Sequence, residues 1–350
     1  MPRASSPSSQ ENASRAAIER IRSKHAPSEE VIAKWGEAIV AGDRKMLARG
    51  ISLVESERPQ DRRAAEQLLE RLLPFSGKSV RVGVTGVPGA GKSTLIERIG
   101  LAWIAKGQRV AVLAVDPSSR RTGGSVLGDK TRMDELARST EAFVRPSPAG
   151  QTLGGVARAT GEAIVLCEAA GFDRIVVETV GVGQSETEVR ELTDFFVLVL
   201  IAGAGDELQG IKRGVLEWAD VLLVNKCDGD NVERAKAATA RYGRALDMLP
   251  PPPSGEACQV IALSALQGDG VPDFLEILRE REALLRTSGQ YEALRVEQRI
   301  GSLNRLVRAS ALQFLRDRPG FSEGWDQAVI DVKAGRTTPY SAIEKLISGA

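Results

Sequence analysis

The stretch Gly86-Val87-Pro88-Gly89-Ala90-Gly91-Lys92-Ser93-Thr94 decides the fold. Gly86, four residues, then Gly91, Lys92 and Ser93 reproduce the Walker A spacing of a phosphate-binding loop. An apolar run at 80–85 (VRVGVT) precedes it and a helical pattern at 92–105 follows, which is the strand, loop, helix context the motif requires. Its glycines let backbone N–H groups wrap phosphates, and the helix N-terminus adds its positive end. In that frame Lys92 reaches the β- and γ-phosphates, and the Ser93 hydroxyl is a ligand for Mg2+.

Outward from this loop, short apolar runs alternate with helical segments between Ser79 and Ser264, the signature of a parallel sheet buried on both faces. Strands are predicted at 80–85, 109–115, 141–145, 173–178, 195–201, 220–225 and 257–263, with helices near 92–105, 155–170, 188–194, 211–218 and 231–247. The expected fold class is α/β: a P-loop domain over 76–288 with a mostly parallel central sheet covered by helices on both faces. Residues 1–14 are rich in Ser and Pro and read as a disordered lead. Over 15–75, Ile18, Ile21, Val31, Ile32, Leu47, Leu68 and Leu72 recur at near-helical spacing, predicting an N-terminal helical extension. Residues 289–350 are expected to form a C-terminal helical arm. There Val296, Ile300, Leu303, Val307 and Phe314 step by four and three, with Ser310 in the missing step. Both an intramolecular hairpin and self-association satisfy such a narrow seam. The proline run 250–253 is expected to stop the helix before the last strand and serve as a rigid, exposed connector.

Base identity is written at other strand ends, where ligands bind in open α/β sheets. Asn225, Lys226, Cys227 and Asp228 close the strand at 220–225. The Asp228 carboxylate can accept from the N1–H and exocyclic amino group of guanine; adenine offers neither donor there. The competing role for Asp228 is capping the following helix. Ser264, Ala265 and Leu266 follow the last strand, where a backbone amide can meet the guanine carbonyl oxygen.

Acidic residues at strand ends are the candidates for holding Mg2+ and orienting water. Asp116 opens a long polar segment that also holds Asp129 and Thr131, and such loops are usually functional. Glu178 ends a strand and leads to Gly181, placed to turn a backbone N–H toward the γ-phosphate. Gln184 lies three residues beyond Gly181, so the usual water-orienting glutamine role is not assigned to it. Lys212, in the loop 202–214, can neutralise transition-state charge.

Lys plus Arg number 47 against 46 Asp plus Glu, so no global field favours nucleic acid or an anionic membrane. The opening residues lack a signal-peptide apolar run, and no stretch approaches 18 uninterrupted apolar residues, so a cytoplasmic protein is expected. Cys167, Cys227 and Cys258 stand far apart, against a disulfide framework or a thiolate metal site.

Taken together, GVTGVPGAGKST (83–94), DPSS (116–119), TGGSVLGDKTRM (122–133), ETVGVGQSE (178–186), GDELQGIKRG (205–214), NKCD (225–228) and SAL (264–266) resemble the MeaB/ArgK-type GTPases. The resemblance covers about 50 to 340. It implies a Mg2+-dependent GTPase, cycling GTP to GDP, that serves adenosylcobalamin-dependent methylmalonyl-CoA mutase or a close acyl-CoA mutase. Loops 116–133, 178–186 and 202–214 then match the family's three switches. Asp116, Asp129 and Glu178 match residues around magnesium and the hydrolytic water, and Lys212 matches a third-switch lysine. Helical extensions at both ends are implied, the C-terminal one forming a homodimer.

Three other functions compete. A nickel-delivery maturation GTPase would need soft or imidazole ligands, yet the sequence offers only His25 and isolated cysteines. A kinase acting on a transport-binding protein would need a phosphoacceptor pocket, and NKCD disfavours ATP. A nucleotide-dependent scaffold with no turnover of its own fits the same motifs.

Overall fold

Seven short aliphatic runs assemble into one all-parallel sheet. The computed structural model describes residues 27–116, 133–148, 155–179, 185–202, 213–250, 252 and 256–348. Helices α1 (Glu29–Val40), α2 (Arg44–Val54) and α3 (Pro59–Leu72) come first. The Asp43 carboxylate caps α2 by accepting from the Lys45 and Met46 N–H groups. Then follow β1 (Val80–Gly86), α4 (Lys92–Ala105), β2 (Val110–Asp116), α5 (Asp134–Arg138), β3 (Ala142–Pro148), α6 (Gly155–Ala169) and β4 (Arg174–Thr179). The series continues with α7 (Ser185–Arg190), β5 (Phe195–Ile201), α8 (Arg213–Leu216), β6 (Val221–Asn225), α9 (Val232–Leu246) and β7 (Gln259–Ala262). Helices α10 (Val271–Thr287), α11 (Gln290–Arg316), α12 (Phe321–Lys333) and α13 (Pro339–Ser348) close the chain.

The strand order is β3-β2-β4-β1-β5-β6-β7. Strands β2 to β4 lie on one side of β1 and β5 to β7 on the other, so the loop after β1 opens at the reversal of strand order. Side-chain alternation divides the core in two. Val82, Val84, Val197, Val199 and Leu223 pack with Leu95, Ile96 and Ile99 of α4 and Phe274 of α10. Val177, Leu198, Leu200, Leu222 and Val224 face the other way, with Ile51 of α2, Leu68 of α3, Ile164 of α6 and Ala235 of α9. Each such fully buried aliphatic side chain contributes roughly 1.5–3 kcal/mol, which explains why these strands lack a polar face.

Several boundaries move from the sequence expectation. The helix expected at 188–194 runs instead over Ser185–Arg190. Sheet bonding captures the next residues: Asp194 N–H donates to the Arg81 carbonyl at 2.9 Å, and Asp194 Oδ2 accepts the Arg81 N–H at 2.8 Å. Helix α5 was not anticipated, and β3 extends three residues past the expected 145. Helix α9 ends at Leu246 and a turn through Leu249 precedes Pro250, so the prolines are not its immediate stop. Pro252 is buried, unlike an exposed connector. The disordered lead at 1–14, and Pro251 and Pro253 of the proline run, lie outside the described residues.

Helix α11 is fixed to the sheet's N-terminal edge by a buried polar joint. Arg295 donates to Asp194 Oδ2 at 2.8 Å and to the Ser79 carbonyl at 2.7 Å, while Tyr291 O–H donates to the same carbonyl at 2.6 Å. Glu168 of α6 accepts from Ser79 Oγ at 2.6 Å and from both Nε and Nη2 of Arg81 at 2.9 Å. The opposite face of α11 is bare: Ile300 is 54%, Leu303 59% and Phe314 72% exposed. Among the described residues, no intramolecular hairpin closes its seam. Among the described residues, no helix is long and apolar enough to cross a membrane.

Candidate nucleotide-binding site

Gly86, Asp116, Thr179, Ile201 and Asn225 end their strands along one edge of the sheet, and the phosphate-loop sequence opens there. Close approach dictates two of its glycines. A Cβ on Gly86 would lie 2.1 Å from the Val199 carbonyl oxygen of β5, and its φ of +150° also suits glycine. A Cβ on Gly91, at φ +86°, would lie 2.5 Å from Asn225 Nδ2. Lys92 is buried, and its Nζ donates to the Gly86 carbonyl at 2.9 Å and the Val87 carbonyl at 3.3 Å, curling over the loop it follows. Ser93 Oγ donates to Glu178 Oε1 at 3.2 Å. Glu178 is only 4% exposed, so it is not a surface charge. Beside it, Thr179 Oγ1 donates to Thr85 Oγ1 at 2.8 Å, tying β4 to β1 beneath the loop.

The second end of the site is built by Asn225. Its Nδ2 donates to the Ala90 carbonyl at 2.7 Å, and its Oδ1 accepts the Ala265 N–H at 2.9 Å, so one buried amide joins the phosphate loop to the 264–266 triplet. Lys226 adopts φ +61°, the one non-glycine residue at positive φ among those described, and strain of this kind concentrates at functional sites. Bonds on either side hold the turn: Asn231 Nδ2 donates to the Lys226 carbonyl at 2.8 Å, and Cys227 N–H to the Leu263 carbonyl at 3.0 Å. The Asp228 side chain caps no helix; Oδ2 instead accepts the Ser264 hydroxyl in a short contact. Ser264 Oγ in turn accepts the Gln267 N–H at 3.0 Å. Ala265 is buried, while Leu266 projects at 70% exposure.

Lys92, Ser93, Glu178, Asn225, Asp228 and the 264–266 triplet are thus brought to one edge. Asp116 ends β2 at that edge. Asp129, Thr131, Gly181, Gln184, Lys212 and His25 lie outside the described residues.

Two neighbours on α4 escaped the sequence reading. Glu97 accepts the N–H groups of Glu135 at 2.9 Å and Leu136 at 3.4 Å, capping the helix that follows the long loop after β2. Arg98 donates to the Ala265 and Leu266 carbonyls of the 264–266 triplet. A charged pair on a helix face has no distinctive spacing, so only the fold reveals these contacts.

The comparisons with known proteins agree with this geometry. The family model described as methylmalonyl Co-A mutase-associated GTPase MeaB matches residues 47–319. The GTPase ArgK of Escherichia coli (strain K12) is 42% identical over 305 residues, covering 87% of this chain and 92% of its own. The mitochondrial methylmalonic aciduria type A homolog of Mus musculus is 43% identical over 319 residues, 88% of this chain and 77% of its own. A crystal structure described as LAO/AO transport system kinase superposes with a TM-score of 0.75 at 35% identity, covering 92% of this chain and 98% of that one.

Proposed function

The chain belongs to the family of methylmalonyl-CoA mutase-associated GTPases of the MeaB type, and from that membership we propose that its GTP cycle gates adenosylcobalamin delivery to, and protection of, methylmalonyl-CoA mutase or a close acyl-CoA mutase. GTP is the substrate and GDP a product. The observation that carries the proposal is the extent of the family match. It runs from α2 to the turn after α11, well beyond the elements that form the nucleotide loops.

In this proposal the backbone of 86–94 cradles the phosphates and Lys92 turns its ammonium from the loop carbonyls to the β- and γ-phosphates. Asn225, Lys226, Asp228 and the triplet Ser264, Ala265 and Leu266 form the base site, with Asp228 accepting from guanine. Ser93 and Glu178 present oxygen donors 3.2 Å apart at a largely buried spot beside the phosphate loop, a hard donor set that fits Mg2+. Asp116 and Asp129 complete this set by sequence. When bound, Mg2+ neutralises charge on the β- and γ-phosphate oxygens. Glu178 orients the attacking water, the Gly181 N–H faces the γ-phosphate, and Lys212 meets the charge that develops in the transition state.

The bare seam of α11 supports a homodimer built on the arm, in line with a division into an N-terminal extension, a GTPase domain over 76–288 and a dimerisation segment over 289–350. Nickel delivery has less support: it calls for soft or imidazole ligands, and the sequence offers a single histidine and three cysteines, Cys167, Cys227 and Cys258, far apart. The NKCD stretch at 225–228 likewise favours a guanine nucleotide over the ATP of a transport-protein kinase.

The test is uptake of adenosylcobalamin by apo-mutase, followed by absorbance, with and without this protein, in GTP and in a non-hydrolysable analogue. Uptake should depend on the protein and differ between the two nucleotides. Identical uptake in all four conditions would remove the gating role.

A further inference from the structure

Helix α4 carries Lys92 and Ser93 in its first turn, and Arg98 six residues later, about 9 Å along the axis. The Arg98 guanidinium reaches across to the loop after β7. Its Nη2 donates to the Leu266 carbonyl at 2.6 Å, and its Nε to the Ala265 carbonyl at 3.4 Å. The inner half of that loop is held independently: Ser264 N–H donates to the Asp269 carbonyl at 2.9 Å, Gly268 N–H to the Ser264 carbonyl at 2.8 Å, and Ala265 N–H to Asn225 Oδ1 at 2.9 Å. Ala265 is buried and Leu266 is not, so packing fixes the first half of the triplet and the Arg98 bonds fix the second.

A trans peptide is planar, with its C=O and N–H pointing in opposite directions. Drawing the Ala265 carbonyl toward α4 therefore aims the Leu266 N–H away from α4. The guanidinium is a rigid fork of donors, which lets one side chain set two successive carbonyls.

We propose that Arg98 is a positioning residue for base recognition. Acting through the 265–266 peptide, it aims a backbone donor at the guanine carbonyl oxygen and so strengthens the preference for guanine over adenine nucleotides. Adenine carries an amino group at the corresponding ring position, and an aimed N–H gains nothing from it. The inference rests on the guanine role proposed above for Asp228 and the 264–266 triplet.

The experiment is calorimetric titration of the full chain with GDP, and with ADP by competition, on the parent, Arg98→Ala, Arg98→Lys and Asp228→Asn. Arg98→Ala should bind GDP about threefold to tenfold more weakly, the scale of one neutral hydrogen bond from a backbone N–H, with ADP unchanged. Arg98→Lys should recover part of the loss, because an ammonium lacks the fork that spans both carbonyls. An equal loss of GDP and ADP affinity would mean that Arg98 merely supports the fold, and would overturn the proposal. So would parental GDP binding by Arg98→Ala in a series where Asp228→Asn has lost its preference for GDP. Should Asp228→Asn keep that preference, the guanine site itself fails and the Arg98 role falls with it. If Arg98→Ala melts early, the same comparison is made on Arg98→Lys, which keeps charge and stem; parental GDP affinity there overturns the proposal.

Discussion

Lys92 binds the loop it belongs to. Its Nζ donates to two loop carbonyls, and its side chain is almost fully enclosed, so the cation is stored where phosphate oxygens would compete for it. Lys92→Ala should weaken GDP binding by roughly 3 kcal/mol, about a hundredfold, from lost charge-assisted hydrogen bonds. The melting temperature should fall little, since the glycine conformations and the bonds from Asn225 persist. Calorimetry paired with a thermal melt checks this, and parental GDP affinity in the variant would contradict the phosphate role. Lys92, Ser93, Asn225 and Asp228 were legible in the sequence because a short rigid loop must space its groups in a fixed way. Glu97 and Arg98 were not, because their partners lie 38 and 168 residues away and any polar residue suits a helix face.

Helix α11 has two faces that the sequence renders unequally. The seam of Val296, Ile300, Leu303 and Val307 shows itself by periodicity, and the structure leaves it open to solvent. The face that is buried carries Tyr291, Arg295 and Gln298, residues that composition assigns to solvent. Their enclosure follows from partners supplied by distant segments: the Ser79 carbonyl, the Asp194 carboxylate and the Thr193 carbonyl. Burial pushes the Asp194 carboxyl up from its ordinary range, and the Arg295 and Arg81 guanidiniums oppose that shift. Removing one partner from such a buried set costs far more than the pair gains over an apolar substitute. The same capture of Thr193 and Asp194 shortened α7 relative to the sequence expectation. If the seam is the proposed dimer contact, Leu303→Asp should convert a dimer to a monomer in sedimentation equilibrium while GDP affinity stays parental, because the seam faces away from the joint. A dimer that survives Leu303→Asp would place self-association elsewhere.

At the scale of the molecule, strand order does the organising. With β1 at the reversal, the segments following β1, β2, β4, β5 and β6 all begin at one edge, and the arm attaches at the opposite edge through Ser79 and Asp194. The parallel sheet, the covering helices and the sheet edge that carries the candidate site were legible because runs of Val, Ile and Leu without a polar face leave few alternatives. The partner was legible only as a resemblance, since recognition of another protein is spread over surface positions that follow no period. The most direct measurement is single-turnover GTP hydrolysis by the parent, Lys212→Ala and Glu178→Ala, each with and without methylmalonyl-CoA mutase. A mutase-coupled switch predicts that the mutase accelerates the parent, that Lys212→Ala loses most of this acceleration while keeping GDP affinity, and that Glu178→Ala is slow in both conditions. A parent whose rate is the same with and without the mutase would contradict it.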